Sequence, residues 1–370
     1  MTVTAPGAPI RLMVLEGDGI GPEITSAALA VLEAAGRRLG LEVVCEAFPI
    51  GFTALAQEGT TFPGRIVDAV PRFDGIILGP VSHNAYPPPE AGGLNPSGEL
   101  RKRLELYANI RPAFSRPGFA PRCGSPVDLV VVRENTEGFY ADRSMYLGSG
   151  EFMPTPDIAM SFRKITRSGS TRIAVAAFEL AMQRARRKVT AVHKANVLRI
   201  GDGLFLECVR TVARDYPDVA YEERIVDAMA ALLIRDASQF DVIVTTNMFG
   251  DILSDQASEL SGSLGLAASL NSGTEAAVAQ AQHGSAPDIA GQDIANPSSL
   301  IGSVAMLLAW IGGRHGDARL EIAARLMDQA LSDVIRVPAQ RTRDLGGDVG
   351  TRAFTDHVVR AVGALPLDTA

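Results

Sequence analysis

A chain of 370 residues, 46% hydrophobic and 21% charged, has the composition of a globular protein and the length of two domains. A core of that size needs neither disulfides nor a metal to hold it together. Acidic residues outnumber basic ones 42 to 35, and the net charge of -7 argues against a general nucleic-acid or anionic-membrane binder, since both need a basic surface.

In chain order, residues 11–15 read as a short buried strand running into Gly17, and 23–39 as a helix with Pro22 at its start. Residues 41–48 and 74–78 are strand-like, and the unbroken apolar run 127–132 suits a strand covered on both faces. A helix over 172–186, a buried strand over 189–192, a helix over 201–212, an extended stretch over 219–226, a helix over 228–235 and a strand over 242–245 follow. From Ser298 the pattern is helical in three stretches, broken at Gly312-Gly313 and at Gly346-Gly347. Segments 86–89 and 143–155 are the least regular. Alternation of this kind predicts an α/β fold with a largely parallel sheet. Cys45, Cys123 and Cys208 are too few and scattered for a disulfide framework or a thiolate metal site, so a reducing cytoplasm is the expected setting. Residues 1–10 lack a signal-peptide pattern, and the longest apolar run, 304–311, is short of the ~20 residues a membrane span requires.

Five features carry chemistry. Gly17-Asp18-Gly19-Ile20-Gly21-Pro22-Glu23 sits between a strand and a helix, but its glycine spacing is not the dinucleotide fingerprint, and a tight turn explains it equally well. Asp251 and Asp255 lie four residues apart where a strand gives way to a helix, so their carboxylates share a face. Such a pair repels itself unless a cation intervenes, and all-oxygen ligands suit Mg²⁺ or Mn²⁺; Asp227, at the start of another helix, is a candidate third ligand. A helix-terminal charge and a solvated neighbour are the plainer alternative for the pair. Arg101, Arg111 and Arg133 have the chemistry to grip a small di- or tricarboxylic acid, and Arg133 ends an apolar strand where a bare charge would be costly. Lys194, one of only four lysines, follows a buried strand; crowded or desolvated it becomes a base, with Tyr140 as the matching acid, and otherwise it is a snorkelling lysine. The loop from His283 to Asn296 has room to wrap a nucleotide or to be an ordinary surface loop.

The order of these motifs resembles that of the β-decarboxylating dehydrogenases, the family of isocitrate, 3-isopropylmalate, homoisocitrate, tartrate and D-malate dehydrogenases. The matching segments are the Gly17–Glu23 loop, Leu106-Tyr-Ala-Asn-Ile-Arg-Pro112, Arg133-Glu-Asn-Thr-Glu-Gly-Phe-Tyr140, His193-Lys-Ala-Asn196, Asn247 to Asp255, His283-Gly-Ser-Ala-Pro-Asp288, and Arg341 to Gly347 with Phe354-Thr-Asp356. The resemblance implies the isopropylmalate dehydrogenase-like fold: two α/β domains sharing a mixed, largely parallel sheet, the larger cofactor-binding one from 1–107 plus 265–370 and the smaller from 108–264. It also implies a homodimer with shared active sites.

By the same resemblance Arg101, Arg111 and Arg133 hold substrate carboxylates. Asp251 and Asp255 bind Mg²⁺ or Mn²⁺ together with Asp227 from the other subunit, while Lys194 from that subunit and Tyr140 move protons during oxidation and decarboxylation. Asn196, His283, Gly284, Ser285, Ala286, Asp288, Ile289 and Asn296 fall to the dinucleotide, and a carboxylate at Asp288 facing the adenosine ribose implies NAD rather than NADP. Gln280 stands where relatives often carry Glu near the nicotinamide ribose. Isopropylmalate enzymes place Leu before the matching arginine; here Asn95 and Ser97 are polar and small, and isocitrate enzymes carry the same pair in reverse order. The expected function is NAD- and metal-dependent oxidative decarboxylation of a (2R)-hydroxy acid with a C3 carboxylate. The alternative is a non-catalytic regulatory subunit of a hetero-oligomeric isocitrate dehydrogenase, which typically loses catalytic or metal residues that this chain retains.

Overall fold

The computed structural model describes residues 8–140, 145 and 147–367. Twelve strands are found among them: β1 (Ile10–Leu15), β2 (Val43–Ala47), β3 (Gly75–Leu78), β4 (Ala108–Phe114), β5 (Asp128–Glu134), β6 (Glu151–Thr155), β7 (Ile158–Ser161), β8 (Lys188–His193), β9 (Ala220–Ile225), β10 (Val242–Thr245), β11 (Leu270–Ser272) and β12 (Ala277–Gln280). The helices are α1 (Gly21–Leu39), α2 (Gly51–Glu58), α3 (Arg65–Ala69), α4 (Pro96–Arg103), α5 (Arg167–Gln183), α6 (Gly201–Ala213), α7 (Val226–Asp236), α8 (Asn247–Ser261), α9 (Ser298–His315), α10 (Ala318–Arg336) and α11 (Thr351–Ala364).

Ten strands form one sheet in the order β2-β1-β3-β12-β11-β4-β5-β10-β8-β9. Both outer blocks are parallel, and the antiparallel pairings are confined to the middle, where β11 and β4 join the blocks. The mixed, largely parallel α/β sheet expected from the alternating pattern is therefore present.

Side-chain parity explains the continuous apolar strands. Along β5, Val130 and Val132 face Phe178 of α5 and Phe205 of α6, whereas Leu129 and Val131 face Leu233 of α7 and Leu253 of α8. Helices on both faces leave no position in the middle of this strand for a polar residue. In the other block Leu12 and Ile77 meet α1, α9, α10 and α11, while Met13 and Ile76 pack on Phe62 and Ile66.

Two expectations are corrected. The helix beginning at Ser298 does not break at Gly312-Gly313; α9 runs through to His315 and stops at Gly316, whose φ of 66° is left-handed. Gly312 instead marks a close helix crossing, since a Cβ there would lie 3.1 Å from Leu320 Cβ of α10. The stretch 143–155 is not wholly irregular: Glu151–Thr155 is β6, paired antiparallel with β7 in an exposed two-stranded ribbon, while Arg143, Ser144 and Tyr146 lie outside the described residues.

Candidate active site

The parallel strands β5, β10, β8 and β9 end on one edge of the sheet, and Arg133, α8, Lys194 and α7 all lie at those ends. Crossovers bring loops to such an edge, which is where α/β sheets bind ligands. Arg133 is only 2% exposed, and its Nε donates to Asn247 Oδ1 at 2.9 Å while an Nη1 proton goes to the Asp251 carboxylate. A buried guanidinium left bare would cost several kcal/mol, so Asn247 and Asp251 are required partners. Arg111 Nη1 reaches Asp251 at 3.1 Å, Ser254 Oγ at 2.8 Å and Asp255 at 3.3 Å. Both carboxylates of the i, i+4 pair thus face one arginine from successive turns of α8.

Burial acts to raise the pKa of Asp251, but the guanidiniums of Arg133, Arg111 and Arg101 outweigh it and hold the carboxyl below its ordinary value. Asp251 is ionised throughout the neutral range, and Tyr140 Oη donates to its second oxygen at 3.3 Å.

These groups line a cavity of about 290 Å³ together with Asn95, Ser97, Arg101, Gln280, His283 and Gly284. Asn95 caps α4, its Oδ1 accepting from Gly98 N at 3.2 Å. Ser97 Oγ donates to Gln280 Oε1 at 3.0 Å, and the same oxygen accepts from Asn271 Nδ2 at 3.3 Å and Arg101 Nη2 at 3.5 Å. Gln280 therefore orients α4 toward the cavity.

A second cavity, of about 250 Å³, is lined by His283, Gly284, Ala286, Ile289 and Asn296, with Ile20 and Asp344 closing it. Asn296 Nδ2 donates to Asp344 Oδ2 at 2.9 Å, which ties the 283–296 loop to the segment following α10. Ser285 is buried behind the wall: its carbonyl accepts from Ile20 N at 2.8 Å and its Oγ lies 2.8 Å from Ser82 Oγ. Gly19 adopts φ +57°, and a Cβ there would come 2.1 Å from Ser285 O. The glycine-bearing turn is thus a tight turn that builds the cavity floor. Its Asp18 is a strut, with the carboxylate engaged by Phe52 N, Ser82 N and Tyr86 Oη. Apolar walls of Ile20, Ala286 and Ile289 fit the faces of a planar ring, and Asp288 is exposed beside them.

Three candidate residues lie apart from the arginine cavity within one chain. Lys194 Nζ donates to the Asp227 carboxylate, holding it below its ordinary pKa, and Asn196 is exposed two residues beyond Lys194. None of the three lines the cavity, and no group of three or more His, Cys, Asp or Glu side chains suited to a metal occurs among the described residues. Asp251 and Asp255 alone offer hard oxygen donors, a set that fits Mg²⁺ or Mn²⁺ provided further oxygens come from elsewhere.

Asn247, Ser254, Asn271 and Gln282 belong to the site without having been picked out individually from the sequence. Gln282 Nε2 donates to Asp255 Oδ1 at 2.6 Å. Asn247 and Ser254 sat inside the Asn247–Asp255 motif; Asn271 and Gln282 carried no signal, because uncharged amides on short strands and loops look like any others.

An α/β sheet thus carries, at one end, a cavity lined by Arg101, Arg111, Arg133 and Asp251, beside a second, loop-walled cavity. The sequence model of the isocitrate/isopropylmalate dehydrogenase family matches residues 11–362, and the chain belongs to that family of oxidoreductases. It is 43% identical over 357 residues to the isocitrate/homoisocitrate dehydrogenase of Thermus thermophilus, covering 96% of this chain and 99% of that one. To the 3-isopropylmalate dehydrogenase of Archaeoglobus fulgidus it is 38% identical over 349 residues, covering 94% and 98%. The crystal structure of isocitrate dehydrogenase from Methylococcus capsulatus superposes with a TM-score of 0.83 at 40% identity, covering 95% and 99% of the two chains. Among the described residues no helix is long and apolar enough to cross a membrane.

Proposed function

We propose that this chain catalyses the NAD-dependent, divalent-metal-dependent oxidative decarboxylation of a (2R)-hydroxy acid bearing a carboxylate on C3. The observation that carries this reading is the convergence of Arg101, Arg111, Arg133, Tyr140 and Asp251 on one cavity. When bound, Mg²⁺ or Mn²⁺ at Asp251 and Asp255 supplies Lewis-acid polarisation of the C2 oxygen, and NAD⁺ at the 283–296 loop accepts the hydride.

The chain's own residues do the rest. The arginines fix the carboxylates bidentately and hold the C2–H bond in one orientation. Lys194, once its own proton has passed to solvent, takes the hydroxyl proton as hydride leaves C2. Loss of CO₂ from C3 leaves an electron pair there, and Tyr140 delivers the proton that C3 requires. Lys194 and Asp227 reach this cavity from a partner copy, so the working unit is a homodimer. Support comes from their position outside their own cavity and from exposed apolar residues nearby: Ile200 at 90%, Val197 at 65%, Ile234 at 63% and Ile252 at 59%.

Asp288, an exposed carboxylate, favours the free ribose hydroxyls of NAD over the phosphate of NADP. Asn196, two residues after Lys194, joins the dinucleotide site from the partner in this reading. Asn95 and Ser97 give the cavity a polar wall, which favours a polar or small C3 substituent over isopropyl. The division into 1–107 plus 265–370 and 108–264 accords with separate hydrophobic clusters on either side of β11 and β4. A reducing, cytoplasmic setting accords with three free cysteines. The regulatory-subunit alternative is not favoured, since the metal and acid–base side chains are all retained.

The test is NADH formation at 340 nm with Mn²⁺ and each of D-malate, D-isocitrate, homoisocitrate, 3-isopropylmalate and tartrate. Turnover of one or more supports the reading and ranks the C3 substituents; failure of all five with folded, metal-loaded protein contradicts it.

A further inference from the structure

A cavity of about 480 Å³, lined by a different set of residues, shares Arg101 with the proposed substrate site. Arg101 and Lys102 come to it from the end of α4, and Lys164 and Arg172 from the start of α5 and the residues before it. Two acids also line it, Glu105 and Glu137, but Glu137 is already engaged by the backbone N and hydroxyl of Thr166, the N-cap of α5. Arg172 is held in place by Thr136 Oγ1 at 2.7 Å and by the face of Tyr107 at 4.7 Å, and its buried Nε has no hydrogen-bond partner. The positive end of the 17-residue helix α5 adds to the field, because its first turn borders the same space. A concave site with four cations, one of them the fixed Arg172 guanidinium, is chemically suited to a compact polyanion.

We propose that this cavity is a second small-molecule site, taking an anion with two or more negative charges on carboxylate or phosphate groups, and that its occupancy draws Arg101 away from substrate. Among the described residues Arg101 is the one that lines both cavities, so an anion in the larger one competes for the same guanidinium. The consequence for turnover rests on the proposed role of Arg101; binding itself does not.

The experiment titrates full-length, metal-free protein with inorganic pyrophosphate and, separately, with tricarballylate, following heat of binding in the native chain and in a Lys102→Ala/Lys164→Ala double variant. At least one probe binds, and the double variant weakens it by about tenfold or more. Preference for pyrophosphate identifies a phosphate-bearing ligand, and preference for tricarballylate a carboxylate one. Equal affinity in the two proteins places the anion in the arginine cavity and overturns the proposal, as does no binding of either probe up to about 10 mM. On whichever acid turns over, the bound probe raises KM with kcat unchanged in the native enzyme and loses that effect in the double variant. An identical KM rise in both proteins also overturns it.

Discussion

Lys194 and Asp227 are ion-paired to each other across the ends of β8 and β9, and so stand outside the cavity that Arg111, Arg133 and Asp251 build in the same chain. The two side chains are 27% and 68% exposed, which makes the pair available to another molecule rather than part of a core. An exposed ion pair of this kind contributes little to stability.

Replacing Lys194 by Ala therefore lowers kcat by about 10²–10⁴-fold, the usual contribution of a positioned acid or base, with thermal stability nearly unchanged. Mixing this variant with an Arg133→Met variant under subunit exchange restores part of the activity if sites are shared between chains. Full activity of Lys194→Ala alone would remove it from the mechanism.

The 283–296 loop gives a cofactor prediction. Asp288→Lys with Ile289→Tyr shifts preference from NAD toward NADP, because a cation replaces the carboxylate expected at the ribose. The ratio of kcat/KM values for the two dinucleotides falls by about 10²-fold or more, a change of roughly 3 kcal/mol. An unchanged ratio places the ribose elsewhere.

Gly19 tests the floor of the same loop. Ala at this position meets the Ser285 carbonyl and occupies a left-handed backbone conformation. Gly19→Ala should cost about 1–3 kcal/mol of stability and raise KM for the dinucleotide more than KM for the acid. An equal rise in both would mean general unfolding rather than local displacement.

His193 predicts a pH dependence. Burial pushes its pKa down, against the attraction of Glu223 and Asp202, and its Nδ1 accepts the Ala195 amide at 3.0 Å. The unfolded chain takes up the proton near pH 6.5 while the folded one resists it, so stability is lost as pH falls from about 6.5 through the lower folded value. Denaturant unfolding at pH 8 and pH 5.5 should show a larger loss for the native chain than for His193→Asn. Equal losses would mean that His193 titrates alike in both states.

The sequence was most legible where one periodicity met one environment. The run 127–132 could be read as a doubly covered strand because both of its faces meet helices, and the Asp251–Asp255 spacing placed two carboxylates on one face of α8. Strand β4 went unread because its Asn109, Arg111 and Pro112 break the apolar pattern, although Arg111 is buried among Asp251, Ser254 and Asp255. Strands β11 and β12 have three and four residues, too few for a period to show. Gly312-Gly313 looked like a break because local propensity says nothing of α10, whose closeness makes a small residue necessary. Gln280, Gln282 and Asn271 acquire their roles only through long-range pairing, which no local pattern encodes.

The most direct test of the central claim is the stoichiometry of products from the best acid in the panel, measured with Mn²⁺ and with excess EDTA. One CO₂ is expected for each NADH formed, both abolished by EDTA and restored by added Mn²⁺. NADH without CO₂, or turnover indifferent to EDTA, would contradict the claim.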